Sequence, residues 1–381
     1  DWQFEKKPDI IAASVDHGLR TESQSEIKFV KEICRKKKIK HFSLRTTTNL
    51  LKIRGNLQEN ARIERYKLLK NWAVEQKLQC VLVGHTLDDQ EENLLMRFFR
   101  GSGVDGLVSM QKSVVRSEIL WIRPLLNFRR EELQQYLKIK KYRWVDDRSN
   151  YDNKYLRVRI RALLQQLKCD NLLTPNFVKT TEHMSRASKL LRKTATLDAK
   201  NLLSFNEAGQ ITFDGTKFSE LFEDTQYRIL AGIISWFSGS FYKPRFSQLE
   251  NLHEKILNVK LTAATLGGTV FKRKSGTVTV TRELASVEEN HLVKNEKFIW
   301  DNRWLVTFKS RVQSKLYIKP YGLVSYDDHK IFIDGDFDER ALSTIPVIIE
   351  NKIVKFVPLS NLEYDVEVKL LNEEKEFYKF F

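Results

Sequence analysis

The chain has three cysteines in 381 residues, Cys34, Cys80 and Cys169, and no C-x-x-C pair. That excludes a disulfide framework and a cysteine-held metal centre, and it fits a reducing, cytoplasmic setting. Long apolar runs are also lacking. The longest lies near Ile229–Phe237, short of the ~20 residues a bilayer-spanning helix needs, so no membrane partner is expected. No signal peptide is visible, although a chain that opens at Asp1 rather than Met does not reveal its targeting. Internal repeats and low-complexity tracts are absent. Acid is scarce relative to base: 49 Asp and Glu against 65 Lys and Arg leave a net charge of +16. An excess of that size suits an anionic partner, most commonly nucleic acid, and a lysine-rich surface is the plainer alternative. What is plentiful is core material. Hydrophobic residues make up 41%, with 23 Phe, 12 Tyr and 7 Trp, enough for two or three domains.

Residues 10–15 read as a strand, a Thr21–Gln24 capping box starts a helix running to about Lys38, and 39–44 form a second strand. Asn56 can cap a helix through Glu75, and 80–83 is a third, wholly apolar strand. Strands alternating with helices of this length imply βαβ units and a parallel sheet. Amphipathic helices are expected at Arg129–Lys138 and Tyr155–Leu167, and a helical region from Pro175 to about 257, including 176–203, 226–237 and 246–257. From about 262 the pattern changes to short hairpins, turning near Lys274–Gly276, Asp301-Asn302 and Glu350-Asn351.

The densest chemical pattern follows the third strand: Gly84-His85-Thr86-Leu87-Asp88-Asp89-Gln90-Glu91-Glu92-Asn93. His85, Asp88, Asp89 and Glu92 stand at i, i+3, i+4 and i+7, one face of a helix. That face begins where a parallel strand ends, the usual ligand position in an open α/β sheet. It can hold a metal, an amine or a proton in transit. Equally, acids in a first turn serve the helix dipole, and Thr86 or Asp88 can be an N-cap.

Other clusters carry weaker signals. Asp16-His17-Gly18-Leu19-Arg20 follows the first strand, as a phosphate-contacting turn or an ordinary βα turn. Glu59, Arg62 and Tyr66 share a helix face, where the arginine can meet a carboxylate or phosphate, or simply pair with Glu59. Gly101-Ser102-Gly103 is either a helix C-cap or a loop of free N–H groups for phosphate. An acidic turn at 146–150 precedes Arg157, Arg159 and Arg161, which cannot all face one way; some meet acids within the protein and others RNA phosphate. Lys272-Arg273-Lys274 is a basic hairpin tip. The histidines at 41, 183, 253, 291 and 329 show no ligand-like spacing.

In this order and spacing the clusters resemble the tRNA(Ile)-lysidine synthases, a family of the PP-loop ATP-pyrophosphatase superfamily. The pieces are Val15–Arg20, Gly55–Glu59 with Ala61-Arg62 and Arg65-Tyr66, Gly84-His85 with Asp88-Asp89-Gln90 and Glu92, Arg100–Gly103, Arg123-Pro124-Leu125, and Asp147 with Ser149-Asn150. The match is specific over 10–161 and looser beyond, at Thr265–Gly268 and Trp300-Asp301. The resemblance implies an α/β PP-loop catalytic domain over 1–165, a helical tRNA-binding region over 166–260, and a β-rich, tRNA-contacting module over 261–381. It implies ligation of free L-lysine to C2 of the wobble cytidine of a tRNA(Ile) with a CAU anticodon, through an adenylate, with ATP and Mg2+. His85, Asp88, Asp89 and Glu92 are then the catalytic set. Asp89 and Glu92 hold lysine's ammonium groups and Arg62 its carboxylate or a phosphate, while Asp88 is the magnesium ligand. Asp16, His17, Gly18, Arg20, Gly101 and Gly103 lie on ATP, and Arg123, Arg157, Arg159, Arg161, Lys272, Arg273 and Lys274 on tRNA. The alternatives are another PP-loop tRNA-modifying enzyme or a non-catalytic basic RNA-binding relic. A homodimer is left open.

One departure is large. The family's Ser-Gly-Gly-x-Asp-Ser phosphate loop occurs nowhere in the chain, and the Asp1-Trp2 start resembles the end of the helix that follows it. Backbone N–H groups of such a loop cradle pyrophosphate. The expectation is therefore an N-terminally truncated enzyme. ATP–pyrophosphate exchange should be absent from the 381-residue chain and return when an upstream loop is restored; exchange by the bare chain would overturn this expectation.

Overall fold

The structure, a computed structural model, describes residues 9–16, 18, 23–46, 57–108, 110–116, 119–145, 156–170, 172, 176–240, 243–258, 262–293, 295–310, 315–324, 333, 335, 337–371 and 377–381, apart from the side chains of 57–59 and 176–178. The chain divides into two compact units, Asp1–Arg186 and Ala187–Phe381.

In the first unit the apolar run after Ile10 forms β1 (Ile11–Asp16), and α1 (Ser23–Lys36) carries the chain back to a parallel neighbour, β2 (Lys40–Arg45). Their register places Ile11 opposite Lys40 and Asp16 opposite Arg45. α2 (Leu57–Glu75) packs on these strands and leads to β3 (Cys80–Leu82) and α3 (Leu87–Phe98). The hairpin β4 (Ser113–Arg116) and β5 (Ile119–Ile122) then returns, with β5 parallel to β3 and antiparallel to β4. α4 (Arg130–Ile139) and α5 (Leu156–Cys169) follow. Trp72, Ala73, Val81, Ile119 and Trp121 are buried together, with Phe42 and Tyr66 packed against them. The Tyr66 and Trp121 rings lie 4.9 Å apart. The alternating βαβ order is as expected, and the hairpin at 113–122 is an addition. Its first strand is a half-exposed edge with no clean period, whereas Ile119 and Trp121 of the second are buried.

α6 (Asn176–Leu202) crosses the division between the units. The region read as helical to 257 is then interrupted by β6 (Ser204–Phe205) and β7 (Ile211–Asp214), before α7 (Gly215–Glu220), α8 (Glu223–Ser238) and α9 (Phe246–Leu257). β7 pairs with a strand more than sixty residues away, so no local window shows it. β8 (Ala264–Leu266), β9 (Thr269–Lys274) and β10 (Thr277–Arg282) complete a five-stranded sheet in the order β6-β7-β10-β9-β8. β11 (His291–Leu292), β12 (Lys297–Trp300), β13 (Trp304–Phe308), β14 (Leu316–Pro320), β15 (Pro346–Glu350), β16 (Ile353–Phe356) and β17 (Val366–Leu370) form two further antiparallel sheets. The expected hairpins at 270–280, 298–308 and 346–357 are all present. α8 is buried on every side, because Ile229, Ile233, Trp236 and Phe237 share one core with Phe271, Val280, Val306 and Val347. The helices beyond 187 and the strands beyond 260 thus form a single packed body.

Gly232 on α8 makes room for the C-terminal ring: a Cβ there would lie 2.4 Å from Phe381 Cε2. Gly232→Ala should lower the urea midpoint of this unit, by on the order of 1–3 kcal/mol for overpacking. In a Phe381→Ala background the penalty should vanish, since alanine is the better helix former. An unchanged penalty in that background would contradict the contact.

Candidate active site

The turn after β3 is built by its neighbours. Val83 N–H donates to Ile122 O at 2.9 Å, extending the ladder past the strand, and Leu87 N–H donates to Phe128 O at 3.0 Å. Thr86 is the N-cap of α3 in an extended conformation. Its N–H and hydroxyl donate to Asp89 Oδ2 at 2.8 and 2.9 Å. The capping reading therefore accounts for one oxygen of Asp89. The other accepts from Arg157 at 2.8 Å and from Arg130 at 3.4 Å. Burial by itself would raise the Asp89 carboxyl, but the Thr86 N–H bond and the two guanidiniums hold it below its ordinary value.

The rest of this face is ion-paired. Glu92 is 1% exposed, with Oε2 accepting from Arg157 Nε and Oε1 from Arg161 Nε, both at 2.5 Å. Glu91 takes a two-pronged pair from Arg129 at 2.9 and 3.1 Å. Asp88 accepts from the Arg130 backbone N–H at 2.8 Å, with Lys168 3.6 Å from its other oxygen. Four carboxylates of α3 thus meet five cations from the start of α4 and from α5. Beneath them Leu95, Ile160 and Leu164 form the apolar seam between α3 and α5.

Three sequence expectations change here. The acids do not present an open anionic face, because each already has a cation. Arg157 and Arg161, expected on tRNA, point inward at Glu92, and only Arg159 among the three is exposed. Asp88 does not fit magnesium: one oxygen caps α4 and the other faces Lys168 and Arg129. Among the described residues no three His, Cys, Asp or Glu side chains converge as metal ligands.

His85 sits beside this cluster in a different environment. Burial pushes its imidazole down to about 4, helped by Arg62, Arg123 and Arg65 and opposed by Asp89. It is neutral at pH 7. Among the described residues its Nδ1 is buried with no hydrogen-bond partner, and so are Arg123 Nε, the Tyr66 hydroxyl and Asn60 Nδ2. Arg62 lies over the Tyr66 ring at 5.3 Å. Arg123, expected on the tRNA surface, is 6% exposed and donates to Gln111 O at 2.9 Å. Buried donors without partners are costly unless a ligand or water takes them. Sequence reading missed Arg65 and Arg123 as companions of His85, because α2 and the end of β5 bring them to the turn after β3.

The expected ATP residues divide. Asp16 Oδ1 accepts from Gly18 N–H and Ser23 Oγ, both at 2.9 Å, and so closes the βα turn. Gly18, with φ +65°, leaves open space where a side chain would be. His17 and Arg20 lie outside the described residues. Gly101 ends α3 with φ +69°: its N–H reaches Phe98 O and that of Ser102 reaches Arg97 O. Arg97 then holds the following loop, donating to Gly106 O at 2.8 Å and Val108 O at 3.2 Å. Open space also faces Gly101 and Gly103. In the second unit Arg273 turns inward to Ile256 O at 2.8 Å at the end of α9, leaving Lys272 half-buried and Lys274 exposed at the hairpin tip.

Residues 1–167 match the family model described as a PP-loop domain. The tRNA(Ile)-lysidine synthase of Wolbachia pipientis wMel is 35% identical over 324 residues, 84% of this chain and 75% of that protein. The enzyme of the same name from Wolbachia sp. subsp. Brugia malayi (strain TRS) is 31% identical, covering 93% of this chain and 83% of its own. That of Anaplasma marginale (strain St. Maries) is 30% identical, covering 94% and 81%. No helix among the described residues is long and apolar enough to cross a membrane.

The His85 environment is directly measurable. Its imidazole carbon shifts should stay flat in NMR spectra between about pH 8 and 5.5, a range in which an ordinary histidine titrates. The folded value lies below the unfolded one, so this residue's contribution to stability is complete above the unfolded value and is lost as pH falls from there towards about 4. A midpoint near the ordinary histidine value would contradict the burial.

Proposed function

The chain belongs to the tRNA(Ile)-lysidine synthase family, and on that premise we propose how its own residues divide the work. The family reaction uses ATP to activate the wobble cytidine of tRNA(Ile). Cytidine O2 attacks the α-phosphorus and pyrophosphate leaves. The ε-amine of lysine then attacks C2, and AMP departs with the former cytidine oxygen, leaving lysidine.

The observation that carries the assignment is a neutral His85 whose buried Nδ1 has no partner among the described residues and which lies in the field of Arg62, Arg65 and Arg123. Arg62, Arg65 and Arg123 give this spot a positive potential suited to phosphate oxygens or to lysine's carboxylate, with Arg62 placed for the carboxylate. ATP's phosphates also have open backbone to approach at Gly18, Gly101 and Gly103. His85 is too weak a base to deprotonate a free ammonium of pKa about 10.4. It can take the proton once nitrogen has bonded to C2 and become acidic, the stage at which transfer lets AMP leave.

Lysine's ammonium groups can reach Asp89 and Glu92 only by replacing a cation. Arg157 is the candidate, because it bridges both carboxylates. Its withdrawal opens both while Arg161 keeps Glu92 compensated. Exchange of one cation for another avoids the penalty of a bare buried carboxylate. Tethering of RNA falls to exposed cations such as Arg159 and Lys274.

Incubating tRNA(Ile) with ATP, lysine and the protein should add the mass of a condensed lysine to the wobble cytidine. No gain, or gain on another base, would refute the function. For the site, Asp89→Asn should raise the KM for lysine by about tenfold or more, the scale of a hydrogen bond to a charged group, while tRNA affinity stays nearly constant. Equal losses in both would remove Asp89 from lysine binding.

A further inference from the structure

A cavity of about 320 Å3 opens between α4 and α5, outside the group around His85. Arg130, Leu133, Gln134 and Leu137 line it from one face of α4, at i, i+3, i+4 and i+7. Trp144 and Val145, from the segment after that helix, and Arg161 of α5 complete the wall. The volume is at the lower end of the roughly 300–1,000 Å3 typical of small-molecule sites.

The lining has three chemical parts. Trp144 offers a flat aromatic surface between the aliphatic Leu133, Leu137 and Val145. Gln134 supplies an amide, which both donates and accepts. Arg130 and Arg161 supply guanidiniums, and both also reach Glu92, so the backing acids hold them at the cavity wall. A planar base, an edge to be hydrogen-bonded and a phosphate match these parts in turn. Leu133, Leu137 and Trp144 are only half-buried, so the mouth admits a segment of a longer chain. The +16 charge of the protein favours a polyanion over a free nucleotide.

We propose that this cavity holds one unpaired nucleotide of the RNA substrate, its base stacked on Trp144 and its phosphate against Arg130. The assignment rests on the reading of tRNA as substrate. The site adjoins the reacting group through Asp89, which Arg130 contacts and which faces His85. RNA seated here is therefore gripped by a cation that also sets the state of the α3 acids.

The test measures binding of labelled tRNA(Ile) by fluorescence anisotropy to wild type, Trp144→Ala and Trp144→Phe, with ATP binding followed by equilibrium dialysis. Trp144→Ala should weaken RNA binding on the order of 10- to 100-fold, the loss of one base–aromatic stack. Trp144→Phe should recover most of it, and ATP affinity should stay constant in both. RNA affinity unchanged in Trp144→Ala would overturn the proposal, as would loss of ATP binding with RNA binding intact, which would make this an adenine site. In wild-type protein, photo-crosslinking of 4-thiouridine-substituted tRNA should label the peptide containing Trp144; crosslinks confined to other peptides would also overturn it. Wild type that binds no tRNA would refute the underlying substrate reading and the cavity with it. Wild type that binds tRNA and makes lysidine, beside an equally tight Trp144→Ala, would refute the cavity alone.

Discussion

Glu92 is buried with a guanidinium on each carboxylate oxygen, and that arrangement fixes the geometry of the catalytic unit. A carboxylate left bare at that depth would cost several kcal/mol, as would a buried guanidinium left without its acid. The two helices that meet at Glu92 are therefore bound to one register. Arg157 and Arg161 stand one turn apart on α5, and Leu95, Ile160 and Leu164 close the apolar seam beside them. Asp88 and Glu91 do the same for the start of α4, one by capping its backbone and the other by pairing with Arg129. The turn at 84–86 is thus held where three helices meet.

The chemical consequence is a division of charge. The carboxylates are neutralised within the cluster, so the groups left near His85 are the arginines. This explains how a site rich in acid in the sequence has a positive potential in the structure. It also explains the histidine. Desolvation and three neighbouring guanidiniums outweigh Asp89, and the imidazole stays neutral. A neutral imidazole among cations suits a step in which an anion is held and a proton accepted late.

Much of the site was legible because local rules place it. The apolar strand at 80–83, the following turn and the i, i+3, i+4, i+7 spacing located α3 and its polar face. Thr86 was legible as one of two candidate N-caps, whereas its partner Asp89, whose second oxygen meets Arg157 and Arg130, was not. Of the two readings of Gly101-Ser102-Gly103, the structure shows the helix end, at Gly101. What could not be read was which cation meets which acid. Arg157 and Arg161 are 65 and 69 residues from Glu92, and nothing in a run of alternating arginines says which of them turn inward. Arg123, which the resemblance put on tRNA, is buried at the end of β5, and nothing local to Arg123-Pro124 shows that.

The same boundary runs through the fold. Sequence by itself determined the strand and helix alternation of the first unit, the hairpins at 274–276, 301–302 and 350–351, and the family to which the chain belongs. Each depends on periodicity, turn chemistry or the order of short motifs, all of which act within a few residues. Tertiary structure alone decided that β7 joins a sheet with β10, that α8 lies at the centre of the second unit, and that four acids become ion pairs while His85 is buried among arginines. Those outcomes depend on desolvation and on contacts between distant segments, and the free energy of a buried charge is set by whichever neighbour the fold brings to it.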